Sequence, residues 1–106
     1  MRRSEVWWAD LPLPVGRRPV LILTRNRAID VRNAVTVALI TRTIRNIAVE
    51  VRLDERDGMS VPCVVNLDSI NTYAKARLTE RITTLSDEKM AQVEAAIRYA
   101  LGMRVR

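Results

Sequence analysis

The sequence predicts a mainly β fold, a strongly bent antiparallel sheet or small barrel closed by one C-terminal helix. Three observations lead there. Short apolar or alternating runs, bounded by proline, glycine or charged turns, follow one another from residue 5 to residue 85, as strands do in all-β domains. The period becomes helical only at the end, where Met90, Val93, Ile97 and Leu101 recur at intervals of three and four. The length of 106 residues suffices for one core and not for two, so residues 1–106 read as a single domain, with strands over about 5–85 and the helix over about 87–101.

Residues 5–10, EVWWAD, are aromatic and β-branched, and the LPLPVG that follows cannot continue a ladder because its prolines lack N–H groups. Trp7 and Trp8 point to opposite faces, so at most one of them is expected to be fully buried. Residues 18–25, RPVLILTR, form a continuous apolar run with polar ends, the pattern of a central strand covered on both faces. NRAIDVRN, residues 26–33, reads as a loop. In AVTVALIT, residues 34–41, both alternating sets are largely apolar and the segment ends in a hydroxyl. AVEVRL, residues 48–53, alternates Val49, Val51 and Leu53 with Glu50 and Arg52 and therefore has a wet side. DERDG is a charged turn closing on glycine; residues 62–67 and 81–85 are the remaining strands. Ser86 caps the helix, Asp87 and Glu88 complement its dipole, and Gly102 stops it. The Met90 stripe is core or dimer contact.

The formal net charge is +6, and 16 of the 18 basic residues are arginine, whose planar fork matches phosphate oxygens where lysine offers a point charge. Between Arg17 and Arg52 eight arginines face only two acids, Asp30 and Glu50, and their positions at strand ends place them on one rim of the barrel. A polyanionic partner is implied, although arginines scattered on a solvated surface give the same charge. There is no histidine and one cysteine, Cys63, which excludes imidazole-based catalysis and a zinc site. A lone cysteine fits a reducing, cytoplasmic setting, and no apolar run is long enough to span a bilayer. On residues alone Arg18 reads rather as a loop arginine paired with a carboxylate, and Thr41 as a strand-end hydroxyl bonded to backbone.

Taken in order, EVWWADLP, RRPVLILTR, VTVALITRTIR, CVVNLDSINT and RLTERITTLSDEKMAQVEAAIRYALGM resemble the MazF/PemK family of toxin endoribonucleases from bacterial toxin-antitoxin modules. The resemblance implies an SH3-like barrel that forms a homodimer and cuts single-stranded RNA, usually mRNA, without metal or other cofactor. It also implies 2′,3′-cyclic phosphate and 5′-hydroxyl ends, and a separate acidic antitoxin whose tail occupies the RNA groove. Arg18 matches the family's catalytic arginine and Thr41 its catalytic threonine; Asp68 stands where part of the family has an aspartate proposed as general base. Those members carry an arginine two residues earlier, where this chain has Asn66. The loop after the first strand lacks the glutamate of many relatives, and Ser4 replaces a glycine, a change expected to be harmless. Arg17, Arg25, Arg42 and Arg45 are candidates for RNA phosphates, with Asn26, Asn66 and Asn71 for RNA contacts. Two alternatives remain at this point: a non-catalytic toxin of the CcdB type that inhibits gyrase, and a plain RNA-binding module.

Overall fold

A computed structural model of the chain describes residues 1–104. Six strands, β1 (Glu5–Asp10), β2 (Arg17–Ile22), β3 (Ala34–Thr41), β4 (Glu50–Leu53), β5 (Cys63–Ala74) and β6 (Leu78–Thr84), are joined by α1 (Asn26–Val31) and followed by α2 (Asp87–Ala100). They form one sheet in the order β4-β5-β3-β2-β1-β6, every neighbouring pair antiparallel. The expected bent sheet with a terminal helix is present. Its edges β4 and β6 share no ladder among the described residues, so it is a curled sheet rather than a hydrogen-bonded barrel.

Period-two alternation divides the core. Leu21, Ala38, Ile40, Val65 and Leu67 point to one side, where Met90, Val93 and Ala96 of α2 cover them. Val20, Ile22, Val35 and Val37 point to the other, with Ala9, Leu11 and Leu78. The doubly apolar β3 segment is thus buried on both faces, as its sequence requires.

Several boundaries differ from the sequence expectation: β2 runs over Arg17–Ile22 rather than 18–25, and β4 begins at Glu50 rather than Ala48. Residues 26–31 are helical, a single short turn that buries only Ala28 and Ile29 and so leaves no periodic trace. β5 continues to Ala74, its polar second half pairing with the first half of β3. β6 begins at Leu78 rather than Arg81, because Ala9 pairs with Leu78. At the C-terminus Ser86 Oγ accepts from the Lys89 N–H at 3.1 Å, as expected of a cap. Leu101, placed in the apolar stripe, is instead 63% exposed. The helix has ended, Gly102 takes φ +67, and the Met103 N–H returns to the Arg98 carbonyl at 2.8 Å.

Side chains join the two sheet edges. Asp54 and Asp57 cap a 3₁₀ turn at Glu55–Asp57 that ends on Gly58. Thr83 of β6 donates to the Asp57 carbonyl at 2.9 Å. Lys89 of α2 donates to the Arg52 carbonyl of β4 at 2.9 Å. At the start of the chain Ser4 adopts φ +78, its N–H bonded to the Ile22 carbonyl at 3.1 Å and its carbonyl accepting from Leu85 at 2.9 Å. The serine for glycine replacement is therefore not neutral, because this position uses the left-handed region that glycine reaches without strain.

Candidate active site

The β2–β3 register pairs Val20 with Leu39, Leu21 with Ala38 and Ile22 with Val37. Continued two residues, it sets Arg18 opposite Thr41. Pro19, between them and the last pair, has no N–H to extend the ladder. On that continued register the two residues fall on the same face of the sheet. The backbone of Arg18 is paired with Ala9 of β1, and that of Thr41 with Val64 of β5. Both side chains are half-buried. Among the described residues Arg18 has no carboxylate partner. The Thr41 oxygen accepts the Thr43 N–H at 3.2 Å, which leaves its proton to donate.

On the same face Val64 stands opposite Arg52, and Asn66 opposite both Leu39 and Glu50. Arg42 and Arg45 follow Thr41 directly in the loop between β3 and β4; with Arg52 they are exposed and make no ion pair among the described residues. Arg52 was missed as a site candidate, although its alternation with Val51 and Leu53 already placed it on the wet side. Exposed arginines without ion pairs among the described residues give this end of the sheet positive charge.

Asp68 does not join that group within one protomer. The register steps from Leu39–Asn66 to Ala38–Ile70, so residues 67–69 bulge out of the ladder. Asp68 is exposed there, four residues along β5 from Val64 and outside the β3–β5 ladder. The side chain of Asn66 accepts the Asp68 N–H at 2.9 Å; the asparagine shapes the bulge, and its NH₂ remains a donor.

The single rim of arginines inferred from the sequence resolves into separate places. Arg17, adjacent to Arg18 in a strand, points to the opposite face. It pairs with Asp10 at 3.1 Å, donates to Thr79 Oγ1 at 3.2 Å and stacks 4.9 Å from the centre of the Trp8 ring. Arg25 lies beyond the other end of β2, three residues past Ile22 and just before α1. With Arg32, Thr24, Thr36 and Thr72 it lines a separate cavity of about 350 Å³. The Asn26 side-chain oxygen is occupied by the Arg3 N–H at 2.7 Å. Asn71 is exposed opposite Val37. Both tryptophans are half-buried, Trp7 donating to Glu5 Oε1 at 3.0 Å. Cys63 is buried at the start of β5. Burial, then the charges of Asp57 and Asp54, push its thiol pKa up, which suits packing rather than nucleophilic attack.

Residues 2–101 match the family model of the PemK-like, MazF-like toxin of type II toxin-antitoxin system. The chain is 39% identical over 104 residues to the probable endoribonuclease MazF2 of Mycobacterium tuberculosis, covering 96% of this chain and 99% of that one. Among solved structures it is similar to the Mycobacterium tuberculosis toxin MazF-mt6, with TM-score 0.88 and 34% identity over 95% of this chain and 99% of that one. A mycobacterial endoribonuclease in complex with its cognate antitoxin gives TM-score 0.88 at 26% identity, over 100% of this chain and 99% of that one.

Proposed function

This chain belongs to the PemK-like, MazF-like toxins of type II toxin-antitoxin systems, and on that premise we propose that it is an endoribonuclease cleaving single-stranded RNA by attack of a 2′-hydroxyl on the adjacent phosphorus. The proposal rests on Arg18 and Thr41 falling on one sheet face when the β2–β3 register is continued two residues, with no carboxylate paired to the guanidinium among the described residues. As the 2′-oxygen bonds to phosphorus and the bond to the 5′-oxygen breaks, negative charge gathers on the equatorial oxygens. A guanidinium already fixed in place stabilises that charge without reorganising, and the Thr41 hydroxyl donates to the same group. The 2′-proton is lost and the leaving 5′-oxygen gains one, giving a 2′,3′-cyclic phosphate and a 5′-hydroxyl. Arginine keeps its proton under ordinary conditions, so its part is electrostatic. Arg42, Arg45 and Arg52 draw the flanking phosphates toward the pair.

The functional unit is a homodimer acting in the cytoplasm, held in check by an acidic antitoxin that competes for the basic face. Asp68 stands apart from the Arg18–Thr41 pair, so no proton transfer is assigned to it here. The decisive experiment incubates purified full-length protein with a single-stranded RNA oligomer in excess chelator and identifies the new ends. Cyclic-phosphate and 5′-hydroxyl products support the proposal; intact RNA favours a non-catalytic toxin or a binding module. A requirement for divalent metal would remove the metal-free mechanism.

A further inference from the structure

Glu50 opens β4 on the face that carries Arg18 and Thr41, opposite Asn66. Its Oε1 accepts two successive backbone N–H groups, from Arg45 at 2.9 Å and Asn46 at 3.1 Å. Its own N–H donates to the Ile47 carbonyl at 3.0 Å. Asn46 adopts φ +57, a left-handed turn that aims the paired N–H groups inward. Oε2 is buried without a hydrogen-bond partner among the described residues. Glu50 as a whole is half-buried, so one carboxylate oxygen is withdrawn from solvent while the other holds the loop, an arrangement that costs something a neutral residue would not. The loop it grips begins at the Thr41 hydroxyl and carries Arg42 and Arg45.

We propose that Glu50 is a positioning residue of the RNA site, its carboxylate filling the small anion cradle formed by the Arg45 and Asn46 N–H groups and thereby fixing the arginine loop beside Thr41. The inference rests on the endoribonuclease function proposed above. Successive N–H groups turned to one point bind anions well, and a charged acceptor holds two donors more firmly than a neutral one. Without the carboxylate the loop loses both bonds at its tip, and Arg45 loses the fixed backbone from which it reaches a phosphate.

The test uses the full chain and a single-stranded RNA oligomer made non-cleavable by 2′-deoxy substitution, with binding followed across salt concentration. Glu50→Ala and Glu50→Asp, the latter too short to reach, are expected to raise Kd about tenfold. Each should lower the slope of log K against log salt by about 0.7, the share of one single-strand phosphate contact. On cleavable RNA, KM should rise more than kcat falls. Glu50→Gln, whose amide oxygen still accepts both N–H groups but without charge, should recover part of the affinity and fall between Glu50→Ala and the wild type. Exchange of the Arg45 and Asn46 amides should quicken in Glu50→Ala and slow again in Glu50→Gln. Arg45→Ala combined with Glu50→Ala should bind no worse than Arg45→Ala alone. Wild-type affinity and slope in Glu50→Ala, additive losses in the double variant, or no rescue by a folded Glu50→Gln would overturn the assignment alone. If Glu50→Ala fails to fold, Glu50→Asp and Glu50→Gln make the same comparison. Failure of the wild type to bind or cut single-stranded RNA would overturn the ribonuclease function and this inference with it.

Discussion

Arg18→Ala separates catalysis from stability. The side chain makes no ion pair among the described residues, and its strand is held by the backbone pairing of residue 18 with Ala9 and by the buried Val20, Leu21 and Ile22. Removing it should therefore change folding free energy by less than about 0.5 kcal/mol, a shift of at most about 4 °C in Tm for a domain of this size. Removing a preorganised donor to the transition state costs about 3–4 kcal/mol, or about 10²–10³ in rate. Single-turnover cleavage of a labelled oligomer at saturating enzyme, beside a thermal melt, measures both. Arg18→Lys should be intermediate, because it keeps the charge and loses the fork. Thr41→Val removes one neutral donor and should cost about 1 kcal/mol, roughly fivefold. Since both groups act on one phosphate, the double variant should lose less than the product of the single losses. Full cleavage by Arg18→Ala, or a loss of activity matched by a large fall in Tm, would refute the mechanism.

Gly58→Ala should destabilise by about 2–3 kcal/mol in urea titration, combining about 1–2 kcal/mol for alanine in the left-handed region with about 1 kcal/mol for a hydrogen bond lost. The residue has φ +91, and an added Cβ would meet the Thr83 hydroxyl that donates to Asp57; a loss under 1 kcal/mol would show that the turn and β6 move apart freely. Ser4→Gly should stabilise by about 0.5–1 kcal/mol, relief of left-handed strain exceeding the extra chain entropy of glycine, and a lower Tm in that variant would contradict the cost assigned to φ +78. Glu5 supplies a pH signature. Burial alone would raise its pKa, but hydrogen bonds from Trp7 and the Arg2 N–H, the N-terminal charge and Arg81 outweigh it and hold the carboxyl below its ordinary 4.5. Its contribution is thus complete above the unfolded value and disappears as pH falls through the lower folded one; Glu5→Gln should flatten stability against pH in that acid range, and an unchanged acid limb would exclude Glu5 as its source.

Much of the fold was legible because alternation and punctuation agree. EVWWAD and AVTVALIT are strands to the residue, each buried on alternate or both faces and bounded by segments that cannot extend them. The second half of β5 was illegible because its asparagine, threonine and alanine side chains are largely exposed and only its backbone pairing with β3 makes it a strand. α1 hid for a similar reason, with two buried residues in six. For the site, the residues alone left Arg18 and Thr41 open, and the family resemblance singled them out; the β2–β3 register, continued two residues, is consistent with one shared face. Arg17 could have been separated from Arg18 by the alternation applied to Trp7 and Trp8, but its partners Asp10 and Thr79 come from other segments and no local pattern announces them. Glu50 reads in sequence as a solvated strand residue, because the loop that returns onto its carboxylate is defined only by tertiary geometry.

The contact between Lys89 and the Arg52 carbonyl has a bearing on solubility. An open sheet offers its outermost backbone groups to any extended peptide, and such rows invite aggregation unless they are blunted. Here β4 is only four residues long, and an ammonium from the terminal helix already occupies one of its carbonyls. A foreign segment docking at that position must first evict the lysine, so the helix acts as a guard on the margin of the sheet as well as a lid on its interior.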